Sequence, residues 1–157
     1  MRFLLIDRIT SWDPGRTATA VKNVALSEDF FDDHFPLKPI MPGVLLIEGM
    51  AQLGAVLLEY GVRRDAGRVV KCVLMIVEEA KFRSLVRPGD CLEYRAEVES
   101  VNEYGGKVAA TASRNGKRVA ECTLIYGMDG RSEPALDARR AALVSLWLQG
   151  LDGNEPQ

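Results

Sequence analysis

One segment constrains the fold more than any other, because residues 44–60 are apolar around almost the whole circumference of a helix. Pro42 and Gly43 precede this segment, and Gly61 follows it as the expected helix cap. We therefore predict a helix of about 17 residues. A helix that is apolar on every side must be buried, so other elements have to surround it. The segment contains Glu48 and Gln52 and is too short to span a bilayer.

The rest of the chain predicts strands that supply this surrounding layer. Asn115-Gly116 separates two of them and is a strong type I′ hairpin signal. An order of strands, one buried helix and then antiparallel strands predicts an α+β domain, with the helix covered by a curved antiparallel sheet. The predicted strands are 3–9, 16–26, 69–77, 92–101, 107–114 and 118–126.

The C-terminal region differs from the rest. Residues 134–148 predict a short helix with Pro134 in its first turn. Its expected apolar stripe consists of Leu136, Leu143, Val144, Trp147 and Leu148. The chain is thus divided into a domain at 1–128 and an extension at 129–157.

Composition excludes several classes of protein. Lys and Arg total 20 and Asp and Glu total 22, a net charge of −2 that argues against a nucleic-acid-binding domain. Cys72, Cys91 and Cys122 form no C-x-x-C pair, and His34 is the only histidine, which argues against a zinc site or a disulfide framework. A reducing compartment, the cytoplasm, is the simpler prediction. The first residues carry too short an apolar run to predict a signal peptide.

Two residues suggest chemistry before any family is considered. His34 lies in a rigid, proline-rich loop, although a lone histidine is more often structural. Glu48 interrupts the apolar helix, and an ionised carboxylate is rarely buried without a partner. Gln52 lies one helical turn further on and is placed to hydrogen-bond it. The alternative is that Glu48 faces solvent or a subunit interface.

The combined pattern is more specific. Residues 34–52 read His-Phe-Pro-x-x-Pro-Ile-Met-Pro-Gly-Val-Leu-x-x-Glu-x-x-Ala-Gln. This segment closely resembles the active-site motif of the β-hydroxyacyl-acyl-carrier-protein dehydratases of fatty acid synthesis, and weaker similarity extends over residues 3–126. The resemblance implies the hot-dog fold, in which an antiparallel sheet wraps a long helix.

The resemblance also implies roles. Such an enzyme eliminates water from a 3-hydroxyacyl thioester to give a trans-2-enoyl thioester, with no metal or redox cofactor. His34 matches the base, Glu48 the acid, and Gly43 the residue whose backbone N–H polarises the thioester carbonyl. Gln52 matches the residue that orients the acid. The plainer alternatives are that Gly43 only turns the chain and that Gln52 only caps a loop carbonyl.

Partners follow from the same resemblance. The acyl chain would arrive on the phosphopantetheine of an acyl carrier protein, which is acidic. Residues 63–88 hold seven basic and three acidic side chains, and Lys81, Arg83 and Arg87 are the candidate contacts. An ordinary solvated face would explain the same charges. The family also implies a homodimer in which His34 meets Glu48 of a partner chain, and trimers of dimers are common in it.

This chain departs from the family pattern in three places. Asp33 replaces a small residue, Leu37 replaces a glycine, and the extension at 129–157 exceeds the usual length; it would cover the acyl tunnel, pack on the sheet or build an oligomer interface. Glutamate at position 48 favours the branch that dehydrates without isomerising the double bond. Two other functions stay open, a hot-dog acyl thioesterase and a non-catalytic acyl-binding subunit. The sequence does not reveal the acyl chain length.

Overall fold

A computed structural model describes residues 3–151, in which a six-stranded antiparallel sheet wraps one long helix. The predicted α+β architecture is confirmed. Neighbouring strands follow the order β1-β2-β4-β5-β6-β3, so β1 and β3 form the two edges. The elements are β1 (Arg8–Asp13), β2 (Thr17–Asn23), a 3-10 turn (Asp29–Phe31), α1 (Gly43–Ala66), β3 (Lys71–Phe82), β4 (Cys91–Val101), β5 (Gly105–Arg114), β6 (Lys117–Asp129) and α2 (Pro134–Trp147).

The core lies between α1 and the inner face of the sheet. Burial alternates along the central strand β4, where Leu92, Tyr94 and Ala96 are buried and the residues between them are exposed. This period of two is what a strand with one buried face requires. Met50 and Leu53 of α1 are fully buried, so the predicted central helix is indeed the centre of the core.

The helix α1 is longer than predicted, and Gly61 does not cap it. The helix has 24 residues and ends at Ala66, and Gly67 adopts the left-handed conformation (φ 64°) of a C-cap. Gly61 lies inside the helix, where a Cβ atom would lie 2.4 Å from the Cα of Gly15. The prediction that Gly61 caps the helix was wrong because glycine is favoured both at helix caps and where two backbones approach closely. By length and composition α1 could cross a membrane, but 67% of its most apolar window is buried in the protein, as in a core helix.

Strand boundaries differ most at the sheet edges. The first strand begins at Arg8 rather than residue 3. Strand β3 runs to Phe82, past its predicted end at 77, and its pairing with β6 shifts register twice. Each register shift interrupts the alternation of buried and exposed residues from which a strand is predicted, so the ends of irregular edge strands are predicted poorly. The predicted hairpin is confirmed, because Asn115 and Gly116 both have positive φ, 51° and 73°.

The predicted C-terminal helix is present as α2 and packs onto the same core. Val144, Trp147 and Leu148 are buried there. Leu136, expected in the apolar stripe, is exposed, because the first turn of α2 projects beyond the surface that the later turns cover. The division of the chain at residue 128 stays a prediction.

Candidate active site

The loop before α1 holds His34 by its backbone and by its ring. The backbone N–H of His34 donates to the Phe30 carbonyl (3.0 Å), and Ile40 N–H donates to the His34 carbonyl (3.0 Å). The ring Nδ1 lies 2.8 Å from the Ile40 carbonyl oxygen. Because a carbonyl only accepts, Nδ1 must carry the hydrogen, and the neutral ring then presents an unprotonated Nε2. The ring also stacks on Phe35, with centroids 4.0 Å apart.

Gly43 is the first residue of α1, and its N–H has no acceptor within the helix. A Cβ atom at this position would lie 2.8 Å from the ring of Phe82. The end of β3 therefore fills the space beside Gly43, and a larger residue would displace that ring. The close packing against Phe82 therefore favours glycine here. The helix N-terminus also adds a partial positive charge.

Glu48 and Gln52 are linked as their i, i+4 spacing predicts. Gln52 Nε2 donates to Glu48 Oε1 at 2.9 Å. The amide of Gln52 is held by the segment before β1, because its Oε1 accepts from Leu5 N–H (3.1 Å) and its Nε2 also donates to the Phe3 carbonyl (2.9 Å). Within residues 3–151 the second carboxyl oxygen of Glu48, Oε2, has no hydrogen-bond partner.

A cavity of about 220 Å³ lies beside Glu48, between α1 and α2. The extension thus lies beside the candidate acid. The three roles left open for it from the sequence, covering the acyl tunnel, packing on the sheet or building an oligomer interface, stay predictions. Three of the lining side chains, Glu48, Gln52 and Val56, are four residues apart along α1 and so lie on one face of the helix. This spacing is the sequence signal that indicates the cavity. The lining residues are Phe3, Leu4, Glu48, Gln52, Val56, Arg140, Leu143, Val144 and Trp147.

The candidate base and acid are not joined within one chain. No hydrogen bond or ion pair in the described part of the chain connects His34 to Glu48. Asp33 is exposed beside His34. Leu37 adopts the left-handed conformation (φ 64°) and is fully exposed. The loop therefore keeps a backbone shape suited to glycine even though leucine occupies the position.

The three predicted carrier contacts, Lys81, Arg83 and Arg87, are all exposed. Arg83 is partly neutralised, because Glu121 accepts from it and from Arg118. These hydrogen bonds hold the pKa of Glu121 below its usual range. Arg118 extends the basic surface, and sequence reasoning missed it because antiparallel pairing of β3 with β6 brings distant positions together.

The remaining reactive groups do not suggest other chemistry. Within the described residues, no group of three or more His, Cys, Asp or Glu side chains is arranged to hold a metal ion. The three cysteines are free thiols. Burial raises the pKa of Cys72 to about 12 and that of Cys122 to about 11, so these two are poor nucleophiles at neutral pH.

Comparison with known proteins identifies the family. The family model of the FabA-like domain matches residues 1–123. The chain belongs to the FabA-like family. It is 45% identical over 122 residues to the 3-hydroxyacyl-[acyl-carrier-protein] dehydratase FabZ of Wolbachia pipientis wMel, covering 78% of this chain and 83% of that protein. It is 41% identical over 127 residues to the FabZ of Chlamydia pneumoniae, covering 80% and 82%.

Solved structures confirm the hot-dog fold predicted for this FabA-like chain. A hypothetical thioesterase protein with coenzyme A from Streptococcus pneumoniae TIGR4 superposes with a TM-score of 0.61 at 11% identity, over 80% of this chain and 88% of that one. The dehydratase heterocomplex ApeI:P from Xenorhabdus doucetiae gives 0.57 at 17% identity, over 74% and 92%. At such low identity these similarities establish the fold alone.

Proposed function

We infer that this protein is a 3-hydroxyacyl-[acyl-carrier-protein] dehydratase that eliminates water to give a trans-2-enoyl thioester. The single observation that carries the inference is the state of Glu48. One carboxyl oxygen accepts from Gln52, the other has no hydrogen-bond partner among residues 3–151, and Glu48 lines a cavity in a chain of the FabA-like family. A carboxyl group held in this way can donate one proton to a leaving hydroxyl.

His34 supplies the base. Its Nδ1–H is engaged by the Ile40 carbonyl, so Nε2 is the atom that takes the C2 proton of the substrate. Negative charge then develops on the thioester oxygen. The N–H of Gly43, at the N-terminus of α1, is the donor that stabilises this charge. Electrons from the C2–H bond form the C2–C3 double bond as the C3 oxygen leaves.

Glu48 completes the elimination. Hydroxide is a poor leaving group, so the C3 oxygen must receive a proton as it departs. Gln52 donates to Oε1 of Glu48, so Oε2 is the oxygen placed to pass a proton to the leaving hydroxyl. The leaving hydroxyl departs as water. No step of this elimination requires a metal ion or a redox cofactor.

The site is completed by a second copy of the chain. Strand β3 lies at the edge of the sheet and exposes Val73, Met75, Ile76 and Val77, with Met75 67% exposed. A long apolar edge strand is a template for pairing with another strand. Two-fold pairing of β3 with β3 of a second copy buries these side chains and brings His34 to Glu48 of the partner. The protein is a homodimer of this kind.

The substrate arrives on the phosphopantetheine of an acidic acyl carrier protein. Lys81, Arg83, Arg87 and Arg118 form an exposed basic surface at the end of β3 and on β6. Charges of this kind steer an acidic partner and fix its orientation. Free thiols and a buried core helix fit a cytoplasmic enzyme of fatty acid or related polyketide synthesis.

Hydration of a trans-2-enoyl thioester on acyl carrier protein tests this function, because the reaction is reversible. Wild type should consume the conjugated enoyl absorbance without releasing a free thiol, and His34→Ala should not. Thiol release without hydration would identify a thioesterase instead. Activity in neither assay across several chain lengths would contradict both enzymatic functions and favour a non-catalytic acyl-binding subunit.

A further inference from the structure

The cavity beside Glu48 has a charged far end. Glu48, Gln52 and Val56 line one side of the cavity at intervals of one helical turn along α1, and Leu143 and Trp147 of α2 line the opposite side. Arg140 of α2 also lines it. Its partner Glu59 lies on α1 eleven residues beyond Glu48, about 16 Å further along the helix axis.

The charged end is rigidly built. Arg140 Nε donates to Glu59 Oε2 at 2.7 Å, and the backbone N–H of Cys72 donates to Glu59 Oε1 at 2.7 Å. Both oxygens of Glu59 are therefore occupied, and its side chain is only 6% exposed. A carboxylate with both oxygens bonded and a cation against it does not move aside cheaply, because each lost bond would leave a buried charge without a partner.

We propose that the acyl chain of the substrate runs from Glu48 through this cavity and stops at the Glu59–Arg140 pair, which limits the enzyme to short and medium acyl chains. The proposal rests on the function inferred above. Each methylene buried against Val56, Leu143 and Trp147 adds to the binding free energy. A methylene pressed onto the ion pair would displace solvent or hydrogen bonds from charged groups and add nothing.

The proposal gives α2 a direct part in specificity. Leu143, Val144 and Trp147 form the wall that closes the cavity opposite α1. Val144 and Trp147 are buried and fix the helix, while Leu143 is only partly buried and borders a second, outer cleft as well. A larger side chain at Leu143 would therefore narrow the channel with little disturbance of the core.

The test compares hydration of trans-2-enoyl-acyl carrier proteins of four to sixteen carbons. In wild type kcat/KM should fall about tenfold or more once the acyl chain is long enough to reach the Glu59–Arg140 pair. The double variant Glu59→Leu with Arg140→Leu removes both charges together, which avoids a lone buried charge. It should raise the ratio of kcat/KM for twelve-carbon over four-carbon substrate by about tenfold or more.

Matched variants separate specificity from folding. Arg139→Leu removes the neighbouring, exposed charge of α2 and should leave the chain-length profile unchanged. Leu143→Trp should lower the twelve-carbon to four-carbon ratio instead. If the double Leu variant does not fold, Glu59→Gln with Arg140→Leu keeps an acceptor for Cys72 N–H and should shift the profile in the same direction.

Each outcome bears on a different claim. The proposal that the Glu59–Arg140 pair limits the acyl chain would be overturned if wild type hydrated sixteen-carbon and four-carbon substrates equally well. A folded double variant with an unchanged chain-length profile would overturn it too. Loss of four-carbon hydration in wild type would instead contradict the dehydratase function itself.

Discussion

The two halves of α1 carry one glutamate each and use it in opposite ways. Glu48, in the first half, bonds to a neutral amide through one oxygen, and its second oxygen has no partner among the described residues. Glu59, in the second half, has both oxygens occupied, one by a backbone N–H and one by a guanidinium. Burial raises the pKa of Glu59 above its ordinary value, while Arg140 and the Cys72 N–H act to lower it.

The difference shows what separates a reactive carboxyl group from a structural one on the same helix. A neutral partner such as Gln52 fixes the position of a carboxyl group without demanding that it be ionised, so the group can release and regain a proton. A cation such as Arg140 favours the charged form and ties the group to a second helix. Six experiments test this contrast and the segments around it.

The largest effect is expected at Glu48. Glu48→Gln keeps the shape and the bond from Gln52 but removes the proton donor, so kcat for enoyl hydration should fall about 10³-fold. The unfolding temperature should stay close to that of wild type, as measured by circular dichroism. Turnover within tenfold of wild type would remove Glu48 from the mechanism.

Mixing two inactive variants tests whether the first half of α1 works across a dimer. In a heterodimer of His34→Ala and Glu48→Gln, one of the two shared sites has both wild-type residues. Random reassociation should therefore restore about one quarter of the wild-type rate. Native mass spectrometry, which separates the mass of the mixed dimer from the masses of the two homodimers, establishes that subunits have exchanged. Exchange without any recovery would place both residues in the site of one chain.

In the second half, the expected effect of losing the cation is on stability. Arg140→Leu leaves Glu59 buried beside an apolar side chain and should lower the free energy of unfolding by about 2–3 kcal/mol, less than for a fully buried pair because Arg140 is partly exposed. Urea titration measures the change, with Arg139→Leu as the matched control.

The same variant has a defined pH dependence. Removing Arg140 raises the folded-state pKa of Glu59 further above its ordinary value of 4.5. A carboxyl group whose folded pKa is raised destabilises the protein when ionised, and this penalty vanishes as the group is protonated. The difference between wild type and Arg140→Leu should therefore shrink as pH falls toward 4.5. A constant difference would mean that Glu59 does not carry the effect.

Backbone packing of the second half is tested at Gly61. Gly61→Ala places a methyl group 2.4 Å from the Gly15 Cα, where two backbones would have to separate, and should cost about 2 kcal/mol. Gly67→Ala is the matched comparison, because there the space is open and only the positive φ is strained, at about 1 kcal/mol. Equal losses in urea titration would show that Gly61 has no special packing role.

The smallest effect is expected in the loop before α1. Leu37 is fully exposed with φ 64°, so Leu37→Gly relieves left-handed strain but adds freedom to the unfolded chain. The net gain in stability should be about 0.5 kcal/mol. Differential scanning calorimetry would detect the rise in Tm, and a fall would show that the leucine side chain itself stabilises the loop.

Local rules were sufficient for much of this molecule. The all-round apolar pattern determined that α1 is buried, and Asn115-Gly116 determined the hairpin, because both depend on residues close together in the chain. The i, i+4 spacing of Glu48 and Gln52 determined their hydrogen bond for the same reason. The motif at residues 34–52 is likewise continuous in the chain, and it indicated the family.

Tertiary structure alone decided which groups from distant segments meet. The sequence around Glu59 does not indicate its hydrogen bond with Arg140, which is 81 residues away. The sequence around Gly61 likewise does not indicate its contact with Gly15. Such contacts also determine how long α1 is, where β3 ends at the sheet edge and how α2 packs beside Glu48. The energies of these contacts come from burying charges and apolar surface against residues that are distant in the chain. A local sequence pattern therefore cannot predict them.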